Sequence, residues 1–239
     1  MITMSNLGKN GRLGNQIFQF AFLYGLHKLK GYDYCIPPNT DLLNCFNINC
    51  KIQNNLILPK KSESRFSFDK SYPLNYKDKL DYKGYFQTEK YFKHCKRDLI
   101  QTLQFKEFHK KTLPEQNLIS IHVRRGDYVG NAHHPVVSLE YINQAKLYFQ
   151  NKKFIVFSDD INWCKEQNIG DYYAENINHY TDLYQMTQCS GSIIANSSFS
   201  WWGAYLTPKE KVVAPKHWFS GAGTSLNTVD LYCENWIII

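Results

Sequence analysis

Residues 118–127 read LISIHVRRGD: an apolar run rich in β-branched side chains, then two arginines and a glycine. An apolar run this short predicts a buried strand, and the segments that follow set the architecture. SLEYINQAKLYFQ (138–150) is amphipathic and leads to a second run, KFIVFSDD (153–160). TDLYQMTQC (181–189) then leads to GSIIANS (191–197), and a Trp-rich segment leads to KVVAP (211–215). Strand and helix alternating in this order predict βαβ units and a parallel, doubly wound sheet, hence an α/β fold.

Upstream, GRLGNQIFQFAF (11–22) reads as a Gly-rich turn entering a helix, because Leu13, Ile17, Phe20, Ala21 and Tyr24 recur at three- and four-residue steps and share one face. Residues 33–83, rich in Asn, Lys, Pro and Tyr, show no periodicity that assigns an element. YFKHCKRDLIQTLQF (91–105) has helical spacing, and the polar KKTLPEQN (110–117) reads as a link. Two domains are expected, 1–115 and 116–239.

The chain has 239 residues, 43% of them hydrophobic, enough for a real core. No run approaches the ~18 apolar residues of a membrane-spanning helix. The opening MITMSNLGKN lacks the apolar centre of a secretory signal, so no leader is expected. Seven cysteines without a C-x-x-C pair suit reduced thiols in a cytoplasm. Lys and Arg number 28 against 21 Asp and Glu, a surplus of seven that would attract nucleic acid, anionic lipid or a phosphorylated small molecule. The lysines are scattered and no RNP, zinc-finger or helix-turn-helix signature occurs, which argues against nucleic acid.

If 118–123 is a strand, His122 and Arg124 project to one side, and Val123 and Arg125 to the other. Arginines at the carboxyl end of a strand lie where ligands bind in open α/β sheets, and their planar fork suits phosphate, so a nucleotide diphosphate is the natural ligand. The competing reading is an ion pair, with Asp127 as partner. Asp159 and Asp160 follow the run FIVF; they orient an arginine, bind a sugar hydroxyl or cap the next helix. No Asp-x-Asp occurs and no histidine lies at ligand spacing to another donor, so no metal site is read. In NSSFSWWGAYLTP (196–208), Ser197 or Ser198 is placed to cap a helix ending before Pro208, and free N–H groups at such a start bind phosphate. Trp201 and Trp202 either stack on a sugar or base, or pack the helix on the sheet. Gly11 and Gly14 permit close backbone approach beside Asn15 and Gln16, although the spacing is neither G-x-G-x-x-G nor a Walker loop.

In their order, GRLGNQIFQFAF, HVRRGDYV, FSDDINW and NSSFSWWGAYL closely resemble the motifs of bacterial α-1,2-fucosyltransferases of glycosyltransferase family 11, from about residue 11 to Trp236. The central motif is shared more loosely with α-1,6- and protein O-fucosyltransferases. The resemblance implies a GT-B fold, two facing Rossmann-like domains with the donor site in the cleft, and inverting transfer of L-fucose from GDP-fucose without a metal or other cofactor. It implies a terminal galactose of a surface polysaccharide or lipid-linked glycan as acceptor, with the N-terminal domain on the acceptor side and the C-terminal domain binding GDP-fucose. Peripheral association with the inner membrane would fit such an acceptor and the basic surplus. Carried over, Arg124 contacts the diphosphate; His122, Arg125 and Asp127 build the same pocket; Asn15, Asn196, Ser197, Ser198 and Phe199 complete the donor site, with Asp159 at its edge. The general base stays open among Asp127, His122 and a water path, and the oligomeric state is not read. Two departures stand out: the chain is short for that family, and Arg12 replaces its usual second glycine, as in the protein O-fucosyltransferases. Another fucosyl linkage or GDP-sugar, or a catalytically silent GDP-sugar- or glycan-binding protein, are the alternatives.

Overall fold

The computed structural model describes residues 1–54 and 56–239. The chain forms two compact units, Met1–Lys106 with Leu226–Cys233, and Glu107–Ser225 with Glu234–Ile239. Where the sequence suggests a division at 115/116, the chain passes between units at Lys106/Glu107, and a segment near its end rejoins the first unit.

The first unit contains, in order, β1 (Ile2–Thr3), α1 (Leu13–Lys30), β2 (Tyr34–Ile36), α2 (Asp41–Cys45), β3 (Lys51–Ile52), β4 (Lys60–Ser62), β5 (Asp81–Lys83) and α3 (Lys96–Thr102). Its strands are all parallel, in the order β3-β2-β1-β5-β4. Helix α1 buries Leu13, Ile17, Phe20 and Ala21 as their spacing predicts, and Phe18, Phe22 and Leu23 besides. An aromatic cluster covers that wider face: Phe22 stacks on Phe86 with centroids 3.8 Å apart and meets Tyr82 and Tyr91 edge-on. The segment 33–83, unassigned from sequence, holds β2 to β5 and α2. Its strands are two or three residues long and β4 is polar, so no alternation marks them. The helical pattern at 91–105 is realised only in part, as two single turns followed by α3.

The second unit follows the predicted alternation. It contains β6 (Ile119–Val123), α4 (Leu139–Lys146), β7 (Phe154–Ser158), α5 (Ile161–Glu166), β8 (Tyr172–Tyr173), α6 (His179–Gln188), β9 (Gly191–Ile193), α7 (Ser198–Tyr205), β10 (Val212–Ala214) and β11 (Ile237–Ile238). The two-residue edge strands β8 and β11 are too short to show in a pattern. All strands are parallel, in the order β11-β10-β9-β6-β7-β8.

Both faces of this sheet are covered, as a parallel sheet requires. Ile119, Ile121 and Val123 of β6 share a core with Ile142 and Ala145 of α4, whereas Leu118, Ile155 and Phe157 pack on the other side with Met186 and Cys189. Of the two polar members of β6, Ser120 is satisfied by donating to Ser192 Oγ on β9 at 2.8 Å. Trp201 and Trp202 are both fully buried on α7, which decides for packing over ligand stacking.

Strand order also locates the crevices. In the second unit the chain builds outward from β6 through β7 to β8, then crosses to β9 and builds the other way, so the switch point lies between β6 and β9. In the first unit it lies between β1 and β5.

Phe22→Ala is expected to destabilise the first unit by about 3–5 kcal/mol, the range for removing a large buried aromatic. Urea unfolding measures this, and a loss under about 1 kcal/mol would show that the cluster repacks around the gap.

Candidate active site

Three loops leave the carboxyl ends of the adjacent strands β9, β6 and β7, and they carry most of the residues singled out from the sequence. After β6 the chain turns through Arg124–Tyr128; after β7 come Asp159 and Asp160; after β9 come Asn196 and the start of α7. Asp159 holds the first two together. Its Oδ1 accepts the Arg125 backbone N–H at 2.8 Å, and its Oδ2 lies 2.7 Å from Arg124 Nη1. A Cβ at Gly126 would stand 2.5 Å from Asp159 Oδ2, so only glycine lets the turn approach the carboxylate this closely.

Arg124 is gripped from its other side by Asp127 Oδ1, at 2.9 Å from Nε and 2.5 Å from Nη2. The Asp127 contacts use two of the five guanidinium N–H groups, on Nε and Nη2, while the Nη1 contact with Asp159 is an ion pair. The Asp159 side chain is 24% exposed and that of Asp127 is 52% exposed, so Asp127 is the more solvent-accessible of the two carboxylates. The Tyr128 hydroxyl donates to the Asn196 carbonyl at 3.1 Å and ties the β6 loop to the β9 loop across the switch point.

Arg125 turns elsewhere. Its Nε donates to Asp160 Oδ2 at 2.9 Å and its guanidinium lies 3.8 Å from the Trp163 ring centroid. Asp160 also caps α5 by accepting the Trp163 N–H, and the Arg125 hydrogen bond holds its carboxyl below the usual range. The structure therefore groups Arg124, Asp127 and Asp159 and gives Arg125 a separate ion pair and stacking partner. The ion-pair reading of the arginines holds for both, Arg124 with Asp127 and Asp159 and Arg125 with Asp160, and Asp160 also takes the capping role.

His122 is 6% exposed, beside Phe199 with ring centroids 5.5 Å apart. Burial first, and then the neighbouring Arg124 charge, lower its imidazole from 6.5 to about 3, so it stands neutral. Its Nδ1 is buried and finds no hydrogen-bond partner among the described residues; nor does Asn196 Oδ1. Asn196 is otherwise anchored, its Nδ2 donating to the Trp218 carbonyl at 3.0 Å. Ser197 caps α7 by accepting the Phe199 N–H at 3.3 Å, which places Ser198 and Phe199 at the first helical positions, both partly exposed. The positive end of α7 thus begins where β9 ends.

Asn15 belongs to the first unit, at the start of α1. Its Oδ1 accepts from Gln87 Nε2 at 2.7 Å, joining α1 to the loop after β5 at that unit's own switch point. Gly11 sits in the left-handed region at φ 86°, and a Cβ there would collide with the Asn15 amide. Beside this loop Glu63 accepts the Tyr85 and Phe86 N–H groups, and burial raises its carboxyl to about 7. Sequence reasoning passed over Tyr128, Gln87 and Glu63. Tyr128 stood inside the quoted HVRRGDYV; Gln87 and Glu63 gain their partners only through folding. Among the described residues no group of three His, Cys, Asp or Glu side chains is placed to hold a metal ion.

The family model for glycosyl transferase family 11 matches residues 1–239. The chain is 37% identical over 157 residues to the O-antigen biosynthesis glycosyltransferase WbnK of Escherichia coli, covering 59% of this chain and 51% of that protein. It is 30% identical to an alpha-1,2-colitosyltransferase of Escherichia coli, covering 96% of each. It is 26% identical to the galactoside alpha-(1,2)-fucosyltransferase 2 of Bos taurus, over 84% of this chain and 68% of that one. Among solved structures, the NodZ alpha-1,6-fucosyltransferase soaked with GDP-fucose superposes with a TM-score of 0.52 at 12% identity, covering 87% of this chain and 92% of NodZ. The fold is thus GT-B-like, with a parallel α/β sheet in each unit.

The buried imidazole makes stability depend on pH. The folded chain keeps His122 neutral down to about 3, whereas the unfolded chain takes up a proton near 6.5, so this contribution is full above 6.5 and is lost as pH falls below it. Between pH 6.5 and 5 the loss from this group should be about 2 kcal/mol. In His122→Asn, urea unfolding should show a correspondingly shallower decline over that interval; an unchanged slope would mean that His122 is protonated in the folded protein.

Proposed function

Because the chain belongs to glycosyltransferase family 11, we propose that it transfers L-fucose from GDP-β-L-fucose to the 2-hydroxyl of a terminal galactose, with inversion, on a surface polysaccharide or lipid-linked oligosaccharide. The observation that carries this reading is Arg124, held at the β6/β9 switch point between Asp159 and Asp127. When the fucosyl C1–O bond breaks, its electron pair goes to the β-phosphate of GDP. A guanidinium and the N-terminus of α7 are suited to stabilise that charge. Asp159 supplies position, since a side chain already oriented loses less freedom on binding.

The incoming diphosphate would displace the exposed Asp127 from Arg124. The freed carboxylate is then the stronger candidate to take the proton of the acceptor hydroxyl, because His122, neutral only through burial, has little basicity to offer. Asn196, Ser197, Ser198 and Phe199 line the start of α7 beside this crevice, and the unpaired Asn196 Oδ1 suits a donor on the nucleotide sugar. Asn15, at the switch point of the first unit, is proposed as a further donor-site contact. The donor is expected in the cytoplasm; among the described residues no helix is long and apolar enough to cross a membrane.

A second reading follows from the relative matched over 96% of both chains, a colitosyltransferase. Colitose is L-fucose without its 3-hydroxyl, so the same phosphate site would serve either donor. Incubation with GDP-fucose or GDP-colitose and a panel of galactosides in EDTA, followed by linkage analysis, tests the assignment. An α-1,2-fucosylated galactoside is expected. A strict metal requirement would contradict the role given to Arg124, and exclusive use of GDP-colitose would replace the donor.

Arg124→Ala is expected to lower kcat by about 10²–10³, or roughly 2.7–4 kcal/mol, and to weaken GDP binding. Arg124→Lys should also be poor, since a point charge does not reproduce the fork held between two carboxylates. Turnover near wild type in either variant would remove Arg124 from the site. If Asp127 is the base, Asp127→Asn loses the acidic limb of the pH–rate profile; a profile unchanged in shape would exclude it.

A further inference from the structure

The positive surplus is not spread evenly. The first unit holds 17 of the 28 basic and 9 of the 21 acidic residues, a net charge of +8, while the second holds 11 and 12. Part of the imbalance lies at the sheet edge formed by β4 and the chain around it, where residues 57–83 contain seven Lys or Arg and four Asp or Glu.

All four acids face partners within the unit. Glu63 accepts backbone N–H groups of the Tyr85 loop, and Asp69 accepts the Ser71 N–H and the Tyr76 hydroxyl. Asp78 pairs with the N-terminal ammonium, and Asp81 is buried against Ser5. The basic side chains go the other way: Lys60, Arg65, Lys70, Lys77, Lys79 and Lys83 are all exposed.

Two large aliphatic side chains stand out among them, Ile57 at 94% exposure and Leu74 at 80%. Leu74 is placed by Lys61, whose ammonium donates to the neighbouring Asn75 carbonyl at 2.5 Å and lies 4.1 Å from the Tyr76 ring centroid. Ile57 precedes β4 by three residues. Exposed aliphatics within a field of lysines gain nothing from water, but suit a surface that is anionic at its headgroups and apolar beneath.

We propose that the β4 edge of the first unit docks on an anionic lipid bilayer, with its lysines on the headgroups and Leu74 and Ile57 entering the acyl boundary. This goes beyond the transfer reaction and does not depend on the donor. Lysine-to-phosphate attraction weakens with salt, and each lysine near such a surface is worth roughly fivefold in affinity.

The test is cosedimentation of the whole chain with vesicles of phosphatidylcholine alone or mixed with phosphatidylglycerol, at low and high NaCl, without nucleotide sugar. Binding to the mixed vesicles, little to phosphatidylcholine alone, and release by salt are expected. Lys77→Glu combined with Lys79→Glu should weaken binding by on the order of tenfold or more. Leu74→Asp should weaken it at low salt, while Lys111→Glu with Lys216→Glu, both in the second unit, should leave it unchanged. Circular dichroism of each variant establishes that it is folded. No binding to mixed vesicles would overturn the proposal, as would an equal loss in the second-unit variant. Sensitivity to the lysines but not to Leu74→Asp would make the surface a general polyanion binder and overturn the bilayer assignment.

Discussion

The carboxylate of Asp159 sits at the end of β7 and engages two parts of β6's continuation, accepting the Arg125 backbone N–H and pairing with the Arg124 guanidinium. The strands are already paired over their whole length, so this contact extends the ladder by a turn that has no strand geometry of its own. A charge-assisted bond to a carboxylate is worth roughly twice a neutral one, enough to hold an exposed turn in one conformation. The absence of a side chain at Gly126 is the condition for it. The direction of Arg124, the placement of Asp127 and the reach of Tyr128 to Asn196 all follow from where this turn is fixed.

Adjacent arginines need not share a task. Strand alternation sends Arg124 towards the side of His122 and Arg125 towards that of Val123, where Trp163 and Asp160 receive it. Arg125 thereby fastens α5 to the β6 loop, while Arg124 pairs with Asp127 and Asp159. Burying His122 beside a guanidinium removes a second positive charge from the crevice, and Asp127 and Asp159 balance the one that remains. An anion binding at Arg124 therefore exchanges one carboxylate for another ligand instead of meeting an uncompensated cation, which limits the desolvation cost of keeping the arginine half-buried.

Legibility differed between the two units for a definite reason. In the second, every central strand is covered on both faces, so it is mainly apolar and appears as a bounded run such as LISIHV or FIVF. In the first, the strands are two or three residues long and take their stability from α1 and the aromatic cluster around Phe22, so β4 tolerates the sequence KKS. A strand specified by its neighbours leaves little trace in its own residues.

Composition and periodicity alone determined the α/β class, the parallel sheet of the second unit, the core face of α1 and a serine cap at 197 or 198, because each depends on residues close together in the chain. Which arginine faces the crevice, the neutrality of His122, the burial of both tryptophans and the gathering of positive charge on one unit were decided only by the tertiary structure. Each of these depends on what lies across from a side chain, and partners such as Asp159, Trp163 and Asn196 are brought there by strand order, which local sequence does not encode.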